Sequence, residues 1–392
     1  MRRAALVLAG ALLAGCSAAP AADGTTASVP ASTAASASPD PTPSDTPVPT
    51  GPECTAEATS MDLAAQVGQL VMVGVDVGLS DAQRSVIRTN QLGSVILMGR
   101  TPGGASQVAE LAGKLDAFAG EAGILIATDQ EGGLVQRLQG PGFSKIPPAA
   151  EHAKLSSAEL VAKAKGWGRE LANAGVRLDL APVADVVPAK FRATNQPVAR
   201  LGRGYGSDPE TVSAKVAAFS KGMHAADVAV AVKHFPGLGA VTGNTDFASS
   251  VVDRTTTAKS ALLRPFKDAV ADGADAVMVS SARYTKIDPD HVAVFSPTVI
   301  GLLRSWGFDR VVVSDDLGAA AAVRGVPSSQ RAVRFVSAGG DLALTVDVAT
   351  AEAMASGLRT AAKADPDLAD RVAESTARVL ALKASLGLYE CG

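Results

Sequence analysis

The sequence predicts a closed (β/α)8 TIM barrel forming a single catalytic domain, and three observations carry that prediction. Eight short runs rich in β-branched residues recur between residues 67 and 345. Most lack polar alternation, as parallel strands buried on both faces require. Helical stretches with their own start and stop signals separate them, so strand and helix alternate around the chain. About 340 residues follow the N-terminal segment, enough for one large barrel. An open doubly wound sheet shares this alternation, and strand count alone does not separate the two.

The first four strand candidates are "VGQLVMVGV" (67–75), "GSVILM" (93–98), "GILIATD" (123–129) and "VRLDLAPV" (176–183). The other four are "VAVAVKHF" (228–235), "ADAVMVSS" (274–281), "RVVVSDD" (310–316) and "GDLALT" (340–345). Between them, "SDPETVSAKVAAFSKGMHAAD" opens on a capping serine and aspartate with proline next, and "TAKSALLRPFKDAVADG" closes on glycine. Both are helix-boundary signals. "LADRVAESTARVLALKASLG" (368–387) reads as a last helix packed across the outside of the barrel.

The N-terminus has a different character. Arg2 and Arg3 precede an apolar run from Ala4 to Leu13, and "LAGC" then places Cys16 after small residues. A cationic start, a short apolar segment and a small-residue cut site make residues 1–15 a lipoprotein signal peptide, with Cys16 the lipidated residue. The run is far short of the roughly 20 residues a spanning helix needs, which disfavours an uncleaved anchor. Residues 16–52 are almost all Ala, Ser, Thr and Pro, too poor in apolar bulk to fold, and read as a disordered tether. Residues 53–392 form the barrel domain. The expected location is therefore extracytoplasmic, with the membrane reached through a lipid anchor only.

Charge and cysteine usage narrow the class. The chain has 36 Lys and Arg against 39 Asp and Glu. Removing residues 1–15 takes away two arginines and no acids, leaving 34 basic residues against 39 acidic. A mildly acidic chain without a basic block is a poor nucleic-acid partner. After Cys16 only Cys54 and Cys391 remain, at the two extremities of the folded body, and in an oxidising compartment they read as a disulfide.

In a barrel, the C-terminal ends of the strands form the active face. Strand three ends in Asp129, within "TDQEGG". Strand four runs into Asp185 and a loop containing Arg200 and Arg203; strand five ends in Lys233-His234; strand seven ends in Ser314-Asp315-Asp316. The N-terminal ends carry nothing comparable. Each group also has a plainer reading. Asp316, just before "LGAAAA", suits capping; Arg137 and Arg203 could be surface arginines; Lys233 and His234 could be a solvated lysine beside a core histidine. "GRGYG" (202–206) lacks a phosphate-loop fingerprint and follows no strand. No metal-ligand spacing and no nucleophilic Ser or Cys motif is present, so neither metal nor cofactor is expected.

"TDQEGGLVQR", "KHFPGLG" and "VVVSDDLG", in that order on strands three, five and seven, resemble glycoside hydrolase family 3, and within it the single-domain bacterial β-N-acetylglucosaminidases. The likeness spans about residues 60–390. It implies that Asp315 is the nucleophile attacking the anomeric carbon, and that Asp129, Arg137, Arg203, Lys233 and His234 bind sugar hydroxyls. The chain departs from the family pattern after the lysine-histidine pair. Leu238 stands where KHFPGHG has its second histidine, and the loop ends "NTD" rather than Asp-Ser-His. Asp246 therefore occupies the place of the acid/base histidine and is the best substitute, with plain turn chemistry in "GNTD" and proton supply by His234 as alternatives. "MVSS" (278–281) replaces the family's MPAH.

The expected activity is a retaining, exo-acting removal of terminal GlcNAc from peptidoglycan fragments through a glycosyl-aspartate intermediate. Competing readings are a β-glucosidase-like exo-glycosidase and a catalytically reduced lipoprotein that binds wall sugars. Two Trp, three Tyr and ten Phe are few for a polysaccharide platform and favour a pocket for one sugar. A monomer is expected.

Overall fold

The computed structural model describes residues 54–392. The signal peptide, Cys16 and the tether lie outside the described residues. Eight parallel strands form the central sheet: β1 (Val71–Val75), β2 (Ser94–Leu97), β3 (Leu125–Thr128), β4 (Leu178–Asp179), β5 (Ala229–Phe235), β6 (Ala276–Val279), β7 (Val311–Ser314) and β8 (Ala343–Thr345). Their spatial order runs β7-β6-β5-β4-β3-β2-β1-β8, so neighbours in sequence are neighbours in space and β8 pairs with β1. A parallel bridge between Val313 and Leu342, with Ser314 N donating to Leu342 O at 3.0 Å, joins β7 to β8 and completes the ring. The closed barrel, not the open sheet, is the architecture.

All eight expected strands are present, most of them trimmed. Residues 67–69 belong instead to the helix Leu63–Gln69, which Asp62 caps by accepting from Ala65 N at 2.8 Å. An apolar run cannot distinguish a buried helix end from a strand. β4 shrinks to two residues because Pro182 has no N–H for the ladder, and pairing with β5 resumes only as an isolated parallel bridge between Val183 and Lys233. Every residue of β1, β2, β3, β6 and β7 is buried, as the lack of alternation implies. Helices ring the barrel behind side-chain caps: Ser80 and Ser156 form capping boxes, Asp208 caps Pro209–His224, and Asp365 caps the final helix Pro366–Ser385.

Cys54 and Cys391 are disulfide-bonded, with Cα atoms 5.3 Å apart across 337 residues of sequence. They pack with Ala58, Ala122, Ala377 and Leu380, where the helix Thr55–Ser60 lies on the final helix, near the N-terminal end of β3.

The N-terminal ends of the strands are not devoid of charge. Asp341, wholly buried just ahead of β8, accepts from Arg304 Nη2 at 2.6 Å, Arg371 Nη2 at 2.7 Å and Val312 N at 2.8 Å. Arg378 stands 3.3 Å away. Burial disfavours the charge on Asp341, but the three arginines outweigh it and hold its pKa below the usual range. Two of them come from the final helix, so this cluster fastens that helix to the barrel floor.

Candidate active site

The site is built from strand ends. After β3 the chain makes a tight hairpin, Gln130–Gly132 against Val135–Gln136, which returns Arg137 to Asp129: Arg137 N donates to Asp129 O at 3.1 Å. Gly132, at φ 95°, is required there, because a Cβ would sit 2.2 Å from Pro147 O. Gln130 locks the hairpin base through paired bonds to Leu138 N and O, both 3.0 Å. At the end of β5 the register against β6 shifts between Lys233 and Phe235. Such an irregularity re-aims side chains, and here the adjacent Lys233 and His234 both serve the mouth.

One continuous polar chain joins the predicted residues. Asp185 Oδ2 accepts from His234 Nδ1 at 2.8 Å; His234 Nε2 faces Arg203 Nη2 at 3.2 Å. Arg203 grips Glu131 with two bonds, 2.8 Å and 2.7 Å, and Lys233 Nζ reaches Glu131 and Asp129, each at 2.7 Å. Arg137 Nε lies 3.8 Å from Asp129, buried and without a hydrogen-bond partner, while the rest of the side chain is partly exposed at the mouth. Asp129, Arg137, Arg203, Lys233 and His234 are thus brought together as expected. Lys233 and His234 are neither solvated nor idle core residues: both are buried and both are paired with acids. Arg200 is exposed and outside the cluster.

Two members were not given roles by the sequence reading. Glu131 lies two residues from Asp129, the spacing that puts side chains on one face of an extended segment, and that spacing was the available signal. Asp185 stood at the end of an apolar run but had no visible partner until β5 was placed beside it.

The electrostatics follow from burial and pairing. Burial opposes the Glu131 charge, yet Arg203 and Lys233 overcome it and hold its pKa well below the carboxylate range. Burial likewise opposes the Lys233 charge, and Asp129 with Glu131 raise its pKa nonetheless. Asp179, wholly buried below the cluster, accepts from Gln130 N at 2.9 Å through one oxygen while the other has no partner; burial pushes its pKa up to about 7.

Asp315 follows β7 and is half-buried; its N–H donates to Val279 O at 3.0 Å. Burial raises its pKa to about 6, opposed by His234 and reinforced by Asp246 and Asp316, so the carboxylate senses both sides of the mouth. Asp316 caps no helix, because "LGAAAA" forms a turn and only the short helical turn Ala321–Val323; its carboxylate instead accepts from Gly318 N at 2.7 Å, Ala319 N at 3.2 Å and Val346 N at 3.3 Å, stitching the β7 and β8 loops. Asp246 is exposed, in a turn where its N–H donates to Asn244 Oδ1 at 3.0 Å. Ser280, from the altered strand-six motif, bonds Tyr284 Oη at 2.9 Å, whose hydroxyl donates to Gly237 O. Among the described residues, no cluster of His, Cys, Asp or Glu is arranged to hold a metal ion.

A barrel mouth lined by paired cations and carboxylates, with a half-buried aspartate at the end of β7, offers the donors and acceptors that a ring of hydroxyls requires. Residues 62–382 match the glycosyl hydrolase family 3 N-terminal domain, and the chain belongs to that family. Within it the chain groups with the β-hexosaminidases. It is 32% identical over 287 residues to a β-hexosaminidase of Stenotrophomonas maltophilia, covering 70% of this chain and 82% of that one. A β-N-acetylhexosaminidase from Beutenbergia cavernae superposes with a TM-score of 0.80 at 43% identity, over 83% of this chain and 99% of the other. A family 3 β-N-acetylglucosaminidase from a Paenibacillus species gives 0.76 at 30% identity, over 84% and 63%.

Proposed function

We propose that the protein is a retaining exo-β-N-acetylglucosaminidase that removes terminal GlcNAc from cell-wall fragments outside the cytoplasmic membrane. The observation that carries the mechanism is the position of Asp315, half-buried at the end of β7, with the Asp246 loop tied to the segment that follows it through Ala321 N donating to Asp246 O at 3.3 Å. The polar chain from Asp185 to Arg137 supports a terminal sugar held by its hydroxyls. Its charges are already paired, so they require no large rearrangement on binding.

In the first step an Asp315 oxygen bonds to C1 while the bond from C1 to the leaving oxygen breaks, and Asp246 gives that oxygen a proton. In the second, Asp246 takes a proton from water, the water oxygen bonds to C1, and the Asp315 ester bond breaks. A seated aglycone would cover Asp246, which is exposed in the free protein. The wall as substrate source rests on the lipoprotein character of residues 1–16 and on the small aromatic content.

The test is trapping. A 2-deoxy-2-fluoro glycosyl fluoride should label the protein once per chain, with the label on the peptide containing Asp315. Turnover of an aryl GlcNAc glycoside without any trapped ester, or a label on another acid, would overturn the assignment. Faster hydrolysis of the aryl glucoside than of the aryl GlcNAc glycoside would replace the substrate.

A further inference from the structure

We infer that Asn195 is a positioning residue that sets the loop bearing Asp246 against the loop bearing Arg203, so that sugar binding and proton delivery share one anchorage. The inference rests on the reading of Asp246 as the proton donor.

Asn195 lies in the loop after β4 and is wholly buried. Its two ends serve different loops. Oδ1 accepts from Val198 N at 3.1 Å and Ala199 N at 2.8 Å, at the start of the short helical turn Ala199–Leu201. Arg203 hangs from that turn: its N–H donates to Val198 O at 3.1 Å and its guanidinium to Pro197 O at 3.0 Å. Nδ2 donates to Leu238 O at 2.7 Å and Val241 O at 2.9 Å, with Gly239 O at 3.4 Å. An amide nitrogen has two hydrogens, and these carbonyls use both.

The segment Leu238–Val241 is held from other directions as well. Leu238 N donates to Asp185 Oδ1 at 2.8 Å. Gly239 sits against the chain at Val186, so closely that a Cβ would fall 1.8 Å from Val186 O. Five residues past Val241, the loop is tied to the segment following β7: Ala321 N donates to Asp246 O at 3.3 Å and Ala322 N to Thr245 O at 3.2 Å. Asp246 therefore stands between two anchorages, one of them gripped by Asn195 and the other continuous with Asp315.

A buried amide could be satisfied by any carbonyl. Here its donors and acceptors divide between the two loops that carry sugar binding and proton transfer, and the test must separate that from simple stability. Asn195→Asp does so, because it keeps an oxygen for Val198 and Ala199 but turns a carboxylate oxygen toward the three carbonyls. Gly239→Ala disturbs the same segment from its opposite side without touching Asn195.

The experiment measures kcat and KM across aryl GlcNAc glycosides of graded leaving-group acidity for wild type, Asn195→Asp, Gly239→Ala and Asp246→Ala. Rates are expressed per site trapped by the 2-fluoro reagent, so unfolded protein is not counted. Both segment variants should lose roughly 10²-fold in kcat on the poorest leaving groups, as a misplacement of about 1 Å can cause. They should lose far less on dinitrophenolate, with GlcNAc inhibition unchanged, and so reproduce the Asp246→Ala pattern in weaker form. If Asp246→Ala shows that pattern while the segment variants lose rate equally on all substrates or only melt earlier, the role of Asn195 is refuted and Asp246 keeps its own. If Asp246→Ala loses rate equally on all substrates, the donor assignment fails and this inference with it. Should Asn195→Asp yield no trappable sites, Gly239→Ala decides alone.

Discussion

The carboxylate of Asp185 receives both the ring and the backbone of His234: Oδ2 accepts from Nδ1 at 2.8 Å and Oδ1 from the peptide N–H at 3.1 Å. This pairing puts the hydrogen on Nδ1, so that in the uncharged ring Nε2 accepts from Arg203. Asp185→Asn presents an amide where a wholly buried carboxylate accepted three hydrogens, and the ring loses its fixed tautomer. Binding should suffer more than chemistry. Steady-state kinetics should show KM raised about tenfold or more, with kcat reduced less, consistent with losing a charge-assisted bond worth about 1.5–3 kcal/mol. An unchanged KM would mean that His234 does not hold the sugar.

The raised pKa of Asp315, about 6, fixes the sign of two pH effects. The proposed nucleophile must be ionised to attack, so kcat/KM should fall tenfold per pH unit below about 6, where the free-enzyme acid limb is expected. For stability the sign reverses. A carboxyl whose folded pKa is above its unfolded value stabilises the fold below the unfolded pKa, and that contribution is lost as pH rises through about 6. Asp315→Asn should therefore abolish turnover yet raise stability at pH 8, by on the order of 2 kcal/mol, and have little effect at pH 4. Thermal melts at the two pH values check both parts. A uniform shift at both would place the cause elsewhere.

At the opposite end of the barrel, Asp341→Ala removes the wholly buried anion shared by Arg304, Arg371 and Arg378 and leaves three largely buried cations facing one another. Urea unfolding should show a loss of about 3–5 kcal/mol, without a selective change in KM. Because the pKa of Asp341 is lowered by those arginines, its contribution is present above the unfolded pKa and is lost as pH falls through the folded one. The variant and the parent should converge in strong acid.

The bridge between Cys54 and Cys391 closes 337 residues of chain. Cys391→Ser frees that loop in the unfolded state, for which the chain-entropy estimate is an upper bound of about 6 kcal/mol. Calorimetry should show a melting point lowered by several degrees in the variant and in reduced parent protein alike. Activity at 25 °C should be retained, since the bridge is remote from Asp315.

Much of the fold and of the site is legible in the sequence. The strands declared themselves because burial on both faces leaves no polar alternation, and the acids and cations at their ends stood out against apolar neighbours. β4 is shorter than its apolar run because Pro182, inside that run, interrupts the ladder, which resumes only as a bridge at Val183. Glu131 and Asp185 escaped a role because a carboxylate's partner is a matter of which strands adjoin, and Arg203 is 72 residues from Glu131. Asn195 was invisible for a deeper reason. It binds main-chain atoms, which every residue possesses, so no sequence pattern marks its targets. The cluster at Asp341 was likewise hidden until the last helix lay against the barrel floor.

The joined ends have a directional consequence. Residue 54 enters the body beside the start of β3, whereas Asp315, Asp246 and the arginines sit past the other rim of the strands. The crosslinked ends therefore close the molecule at the rim opposite the polar mouth, and a change at that closure can reach the catalytic face only through the length of the strands.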